Sequence, residues 1–322
     1  MILVTGAGGF IGGHLVRYFL DRGAKRVRAV DKKPLPLWYQ RHLGAESLCL
    51  DLAEESNCRR ACEGAREVYQ LAADMGGIGF IEHYRVECMR NGLINTHMLE
   101  SAYRAGAERY FFSSSACAYN TELQKDPDVA ALRESDAYPA MAERGYGWEK
   151  LMAEMLCQEY TAERGLQTFI ARFHNVYGPH GSWNDGREKA PAAICRKVAA
   201  AKRDGADIID VWGNGTATRS FMYIDDCTLG IDRIAHCDTF AAMPVNLGSR
   251  ELVTVNQLVQ LVENIAGVSL GRRYDTAAPH GVNGRNSDNT LLYRHLKWEP
   301  NTQLAEGLVP TYKWIEKQVM GA

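Results

Sequence analysis

Tyr146 and Lys150 stand four residues apart in the string Tyr146-Gly147-Trp148-Glu149-Lys150. On a helix that spacing puts both side chains on one face. A free tyrosine ionises near pH ~10, and a neighbouring ammonium favours the phenolate. Such a phenolate can take an alcohol proton while hydride leaves for a nicotinamide. Ser113-Ser114-Ser115 closes a β-rich segment upstream, where a hydroxyl could hold the same substrate oxygen. Tyr-x-x-x-Lys also decorates ordinary surface helices, so the pair takes its meaning from its setting.

That setting begins at Val4-Thr5-Gly6-Ala7-Gly8-Gly9-Phe10-Ile11-Gly12, directly after an apolar strand and opening a helix. Gly6 can make the tight turn, Gly9 admits a pyrophosphate to the backbone, and Gly12 lets helix and strand pack closely. Phe10 and Ile11 start the helix, whose free N–H groups and dipole favour phosphate. Asp31 follows the second strand, 19 residues beyond Gly12. Its carboxylate can accept from both ribose hydroxyls and would repel a 2′-phosphate, so NAD is expected rather than NADP. Lys32 and Lys33 beside it read as solvated loop charges. Asp51-Leu52 lies where a side chain reaches adenine, and the small residues of Leu71-Ala72-Ala73 allow close contact with the cofactor.

These groups need a scaffold. Short β-rich runs at Ile2–Thr5, Val27–Val30, Glu67–Leu71, Arg109–Ser113 and Gln167–Arg172 alternate with helical patterns at Ile11–Arg22, Leu93–Ala105 and Trp148–Glu163. That alternation indicates an α/β fold, a doubly wound parallel sheet covered on both faces. Residues 1–175 are expected to form the dinucleotide domain, with returns near 211–230 and 243–250. Residues 176–322 are expected to form a smaller, interleaved α/β substrate domain. Its elements are a helix over Ala192–Lys202, a strand over Ile208–Trp212, a helix from Ile224, a helix capped by Thr254 and a last helix over Leu304–Val319.

The chain has 322 residues, 46% of them hydrophobic and 24% charged, with a formal net charge of −2. This balance fits a soluble globular protein and argues against a nucleic-acid partner. No apolar run approaches the ~20 residues of a membrane span. Strand and glycine loop follow Met1 almost at once, so no signal peptide is expected. The nine cysteines are scattered without a C-x-x-C pair, so reduced thiols in a cytoplasm are expected and no metal site.

The glycine loop, Ser113-Ser114-Ser115 and Tyr146-x-x-x-Lys150 together resemble the extended short-chain dehydrogenase/reductase superfamily. Arg172-Phe173-His174-Asn175-Val176-Tyr177-Gly178-Pro179 resembles its next segment, which leads into a sugar-nucleotide pocket. The resemblance implies that Ser115 is the catalytic serine. Longer strings narrow the likeness to the GDP-mannose 3,5-epimerases. They are Ala73-Asp74-Met75-Gly76-Gly77-Ile78-Gly79-Phe80, Ser114-Ser115-Ala116-Cys117, Gly186-Arg187-Glu188-Lys189-Ala190-Pro191-Ala192-Ala193, Thr218-Arg219-Ser220-Phe221 and Gly284-Arg285-Asn286-Ser287-Asp288-Asn289. The chain departs from that pattern at Ala118-Tyr119-Asn120, in the loop Ala142–Gly145 and along Lys202–Asp210.

The resemblance implies an NAD-dependent isomerase acting on GDP-D-mannose and giving GDP-L-galactose, with or without GDP-L-gulose. An ordinary sugar C–H is not acidic. Oxidising C4 to a ketone makes the C3 and C5 protons α to a carbonyl, and two groups on opposite faces can then exchange them. Cys117 and Lys189 are the implied pair: a thiol ionises near pH ~8.5, lower beside a cation, and a desolvated lysine sheds its proton. Taken alone, Cys117 reads as a small buried hydrophobe and Lys189 as a loop cation. The resemblance assigns Lys197, Arg219 and Arg285 to the diphosphate, which suits arginine's paired donors. It assigns Asn175 and Glu188 to the sugar, and Gly76-Gly77 to close backbone approach. Ala116, Ala190 and Thr218 are expected at the substrate by their place in these strings.

Rival readings are a nucleotide-sugar 4-epimerase, which has no use for Cys117 and Lys189 together, and a 4,6-dehydratase, which carries an acidic pair where Ala116-Cys117 stands. A non-catalytic NAD-sensing protein would usually lack the Tyr or the Lys. The helices Leu93–Ala105 and Trp148–Glu163 carry more apolar residues than one face needs, among them Met98, Leu99, Leu151, Met155 and Leu156. In the resembled superfamily these helices form a four-helix bundle with their copies, so a homodimer is expected.

Overall fold

The computed structural model describes residues 1–279 and 281–321. In chain order the strands are β1 (Ile2–Thr5), β2 (Val27–Asp31), β3 (Ala45–Cys49), β4 (Glu67–Gln70), β5 (Arg109–Ser115), β6 (Gln167–Phe173), β7 (Val176–Tyr177), β8 (Ile208–Trp212), β9 (Thr218–Ser220), β10 (Met222–Tyr223), β11 (Pro244–Leu247), β12 (Leu252–Thr254), β13 (Gly271–Asp275) and β14 (Gly284–Arg285). The helices are α1 (Phe10–Asp21), α2 (Glu55–Cys62), α3 (Ile78–His83), α4 (Arg85–Arg104), α5 (Tyr146–Arg164), α6 (Ala190–Asp204), α7 (Ile224–Ala235), α8 (Val255–Ala266), α9 (Thr290–Leu296) and α10 (Leu304–Met320).

Seven strands form one parallel sheet in the order β11-β6-β5-β4-β1-β2-β3. Neighbouring residues of a strand point to opposite faces. Leu3 and Val4, Phe111 and Phe112, and Phe169 and Ile170 are all buried, so both faces are covered. Val4, Phe111 and Phe169 pack with Leu15 and Phe19 of α1 and Ile231 and Ile234 of α7. Leu3, Phe112 and Ile170 pack with Cys58 of α2, Met98 and Leu99 of α4, and Ala153 and Cys157 of α5. The chain runs outward from β1 to β3, then crosses back to β4. The crevice at the carboxyl ends of β1 and β4 is therefore the switch point where a doubly wound sheet takes its ligand.

A third core joins Ile194 and Val198 of α6, Leu258 and Val262 of α8, and Leu308, Tyr312 and Ile315 of α10 over Ile209 and Val211 of β8. It forms the smaller α/β part. The expected return at 243–250 rejoins the large sheet as β11. The expected return at 211–230 divides: β8 pairs with β13, and β9 with β12 and β14, while α7 goes back to cover the large sheet.

Thr254 caps α8 as expected. Its Oγ1 accepts from Gln257 N at 3.0 Å, and its own N–H donates to Gln257 Oε1 at 2.8 Å. The helix expected at Leu93–Ala105 begins two turns earlier, at Arg85. Its apolar residues lie on two faces, Ile94, Met98 and Leu99 inward and Val86, Met89 and Leu93 outward, which blurs the single-face period. Met98, Leu99 and Leu151 are thus core residues of the chain itself, not surplus surface.

Candidate active site

Two cavities meet at this crevice. The first, of about 460 Å³, is lined by Gly6, Gly9, Phe10, Ile11, Gly12, Asp31, Asp51, Leu52, Leu71, Ala72, Ala73, Ser115, Tyr146 and Lys150. Residues from six separate segments of sequence thus share one wall. The loop is a cradle that only glycine permits: a Cβ on Gly12 would stand 2.3 Å from Gly6 O. Asp31 Oδ2 accepts from Gly8 N at 3.0 Å and Oδ1 from Lys33 N at 2.9 Å, which fixes the carboxylate while leaving lone pairs for ribose hydroxyls. The residues present fit a dinucleotide. Lys32 and Lys33 are not idle loop charges. Lys32 Nζ pairs with Asp74 Oδ2 at 2.5 Å, and Lys33 Nζ lies 4.1 Å from the Tyr39 ring centroid.

The serine cluster resolves itself. Ser113 Oγ donates to Gln70 O at 3.0 Å, and Ser114 Oγ donates to the Glu154 carboxylate. Ser115 Oγ accepts from Cys117 N at 3.2 Å, also hydrogen-bonds the Cys117 thiol, whose proton affinity it lowers, and borders the cofactor cavity. Tyr146 opens α5, and Lys150 lies one turn on. Lys150 Nζ donates to Ser113 O at 2.9 Å and lies 5.4 Å from the Tyr146 ring centroid. Burial pushes the Tyr146 phenol well above its usual range and pulls the Lys150 ammonium down. Burial thus works against the phenolate that an adjacent ammonium favours.

The second cavity, of about 660 Å³, is lined by Gly76, Gly77, Cys117, Asn175, Glu188, Lys189, Ala190, Lys197, Arg219 and Arg285. Gly76 and Lys189 border both cavities. Cys117 lies in the short helical turn Ala116–Ala118 that follows β5. α5 comes close enough that a Cβ on Gly147 would stand 2.1 Å from Cys117 O. Burial pushes the Cys117 thiol up, Glu143 adds to this, and Arg285 opposes it. Lys189 precedes α6, and its Nζ makes no hydrogen bond among the described residues. Burial lowers its proton affinity, with Cys117 opposing.

Glu188 Oε1 accepts from Arg196 Nη2 at 2.9 Å, while Oε2 is buried without a partner and suits a sugar hydroxyl. Arg219 and Arg285 are register partners on β9 and β14, so two guanidinium groups stand on adjacent strands. Lys197 donates to Asp210 O at 2.8 Å beside Trp212. Two expected substrate residues sit elsewhere. Ala116 packs in the core with Ala118, Tyr119 and Leu151. Thr218 Oγ1 donates to Pro127 O at 2.5 Å, and neither Ala116 nor Thr218 lines either cavity. Arg285 is at the thiol end of the cavity: its Nη1 lies 3.7 Å from Cys117 Sγ, and its Nη2 meets Glu143. Glu143 and Trp212, which the sequence reading did not single out, complete the wall. Only the departure of Ala142–Gly145 from the resembled pattern pointed to the first of them.

GDP-mannose 3,5-epimerase of Arabidopsis thaliana is 41% identical over 99% of this chain and 82% of its own length. GDP-mannose 3,5-epimerase 1 of Oryza sativa subsp. japonica matches with the same identity and coverage. The solved UDP-glucose 4-epimerase of Thermotoga maritima superposes with a TM-score of 0.84 at 24% identity, covering 99% of each chain, a likeness of fold. The family model for NAD dependent epimerases and dehydratases matches residues 2–248. With that match, a glycine cradle at the switch point, and Tyr146 and Lys150 on its wall, the chain belongs to the NAD dependent epimerase/dehydratase family.

Proposed function

We propose that the protein epimerises GDP-D-mannose at C3 and C5 through a transient C4 ketone, giving GDP-L-galactose. The observation that carries this reading is the placement of Cys117 and Lys189 on one cavity, with Lys189 also bordering the cavity that holds Tyr146 and Ser115. Bound NAD⁺ supplies the acceptor for the C4 hydride and the source from which it returns. Ser115 donates to the C4 oxygen and Tyr146 exchanges its proton, with Lys150 as the adjacent cation. Cys117 and Lys189 then move protons at the carbons flanking the ketone. Lys189, unbonded and desolvated, suits the base, and Cys117 suits the acid. Glu188 and Asn175 hold the hexose, while Arg219 and Lys197 neutralise the diphosphate. A simple 4-epimerase would leave Cys117 and Lys189 without work.

Residues 1–175, with β11 and α7, serve the cofactor, and most of the remainder serves the substrate. We place the protein in the cytoplasm, in keeping with the nine free cysteines among the described residues. No helix among these residues is long and apolar enough to cross a membrane. A homodimer is favoured by two neighbouring outward stripes, Val86, Met89 and Leu93 on α4 and Trp148, Met152 and Met155 on α5, each 45–71% exposed. Incubating the purified protein with GDP-mannose and resolving the nucleotide sugars by chromatography and NMR tests the function. A GDP-L-galactose signal is expected, and unchanged GDP-mannose with NAD present would refute it.

A further inference from the structure

Cys117 is asked to hold a proton, give it up and hold it again, and its surroundings contain more than a thiol needs for burial alone. The Arg285 guanidinium is fixed on three sides. Nε donates to Gln124 Oε1 at 2.6 Å, Nη1 faces Cys117 Sγ at 3.7 Å, and Nη2 donates to Glu143 Oε1. Glu143 is tied to the same turn as the thiol, because its backbone N–H donates to Cys117 O at 3.0 Å. Glu143 itself lines the substrate cavity. A carboxylate, a guanidinium and a sulfur thus form one rigid group, assembled from the turn after β5, the loop before α5 and the strand β14.

We propose that Glu143 is a positioning residue for epimerisation, holding Arg285 against Cys117 Sγ and keeping the proton on sulfur between proton transfers. The proposal rests on the epimerase reading for its purpose, though not for its geometry. In the donating step the S–H bond breaks and a C–H bond forms at the sugar carbon. The electron pair stays on sulfur, facing Arg285 Nη1. In the reverse step the pair takes a proton from carbon. Arg285 stabilises the thiolate, and Glu143 offsets that cation so that the thiol still binds a proton near neutrality. An arginine without that carboxylate would favour the thiolate more strongly and make the sulfur a poorer acid. The other charged or titratable groups acting on this sulfur are Lys189 before α6, Arg219 on β9, Tyr146 and Lys150 on α5, and Cys88 on α4. Every cation among them pulls toward the thiolate, so Glu143 is the carboxylate that balances them. Burial and the Glu143 charge both raise the thiol, in line with this role.

The test uses the full chain and Glu143→Gln, whose amide oxygen can still accept from Arg285 but carries no charge, together with Arg285→Gln. Iodoacetamide reaction at Cys117 is followed across pH by mass spectrometry of the Cys117 peptide. In Glu143→Gln the midpoint should fall by about one pH unit or more, and in Arg285→Gln it should rise. With GDP-mannose in heavy water, the alkaline limb of deuterium entry at C3 and C5 should fall alongside in Glu143→Gln, because the acid must keep its proton, while cofactor reduction by the C4 step keeps its wild-type profile. An unmoved alkylation midpoint in Glu143→Gln overturns the proposal. A lowered midpoint in a protein whose wild type never exchanges at C3 or C5 supports the coupling and refutes the epimerase reading instead.

Discussion

Ser115 and Cys117 are two residues apart in sequence and open onto different cavities, the serine toward the cofactor and the cysteine toward the sugar. The turn between them divides the two kinds of chemistry, and substitution should separate them. Tyr146→Phe should abolish both, because no ketone forms while the C4 hydroxyl keeps its proton. Cys117→Ala and Lys189→Ala should keep C4 oxidation, seen as transient NADH absorbance. Each should slow inversion by about 10²–10⁴-fold, the usual worth of a placed acid or base. Wild-type epimerisation in both would show the pair to be structural. The proposed catalytic residues could be singled out in the sequence because each lies inside a contiguous string, Tyr146 and Lys150 by their spacing and Ser115, Cys117 and Lys189 through the family resemblance. Glu143 was not, because its partner Arg285 lies 142 residues further along the chain and no local pattern records that meeting.

Among the elements, the long helices and central strands were legible from period and burial, since each carries several turns or a run of apolar residues. The two- and three-residue strands β7, β9, β10, β12 and β14 were not, being too short to carry a period. Yet β9 and β14 set the register of Arg219 and Arg285. The end of α7 offers a pH test of how an element is anchored. His236 caps that helix, with Nδ1 3.0 Å from Asp232 Oδ1 and Nε2 3.5 Å from Glu67 Oε2 on β4. The Asp232 and Glu67 hydrogen bonds push its proton affinity up to about 10. A raised value in the folded state means that the charged histidine stabilises fully below its unfolded value near ~6.5 and ceases to as pH passes about 10. His236→Gln should therefore lower Tm by roughly 1–3 °C at neutral pH, a modest loss because the site is partly solvated. The gap should narrow above about pH 10. An equal gap at both pH values would mean that the contact does not depend on charge.

For the whole molecule, the doubly wound sheet brings cofactor loop, serine, tyrosine and the acid–base pair to one crevice, and the α4–α5 face points away from it. If that face joins two copies, Met152→Glu should give a folded monomer by light scattering while the wild type runs as a dimer at micromolar concentration. A wild type that is monomeric would leave the stripe without that role. The central claim is that redox at C4 is cyclic and serves proton exchange on either side of it. The direct measurement takes GDP-mannose deuterated at C4 in ordinary water, beside unlabelled GDP-mannose in heavy water, each with catalytic NAD, and reads isotope positions in the product by NMR. The account predicts that the C4 label stays on C4, carried out and back by the cofactor, while solvent deuterium enters at C3 and C5. Inversion at C4 with no solvent deuterium at C3 or C5 would contradict it and mark the protein as a 4-epimerase.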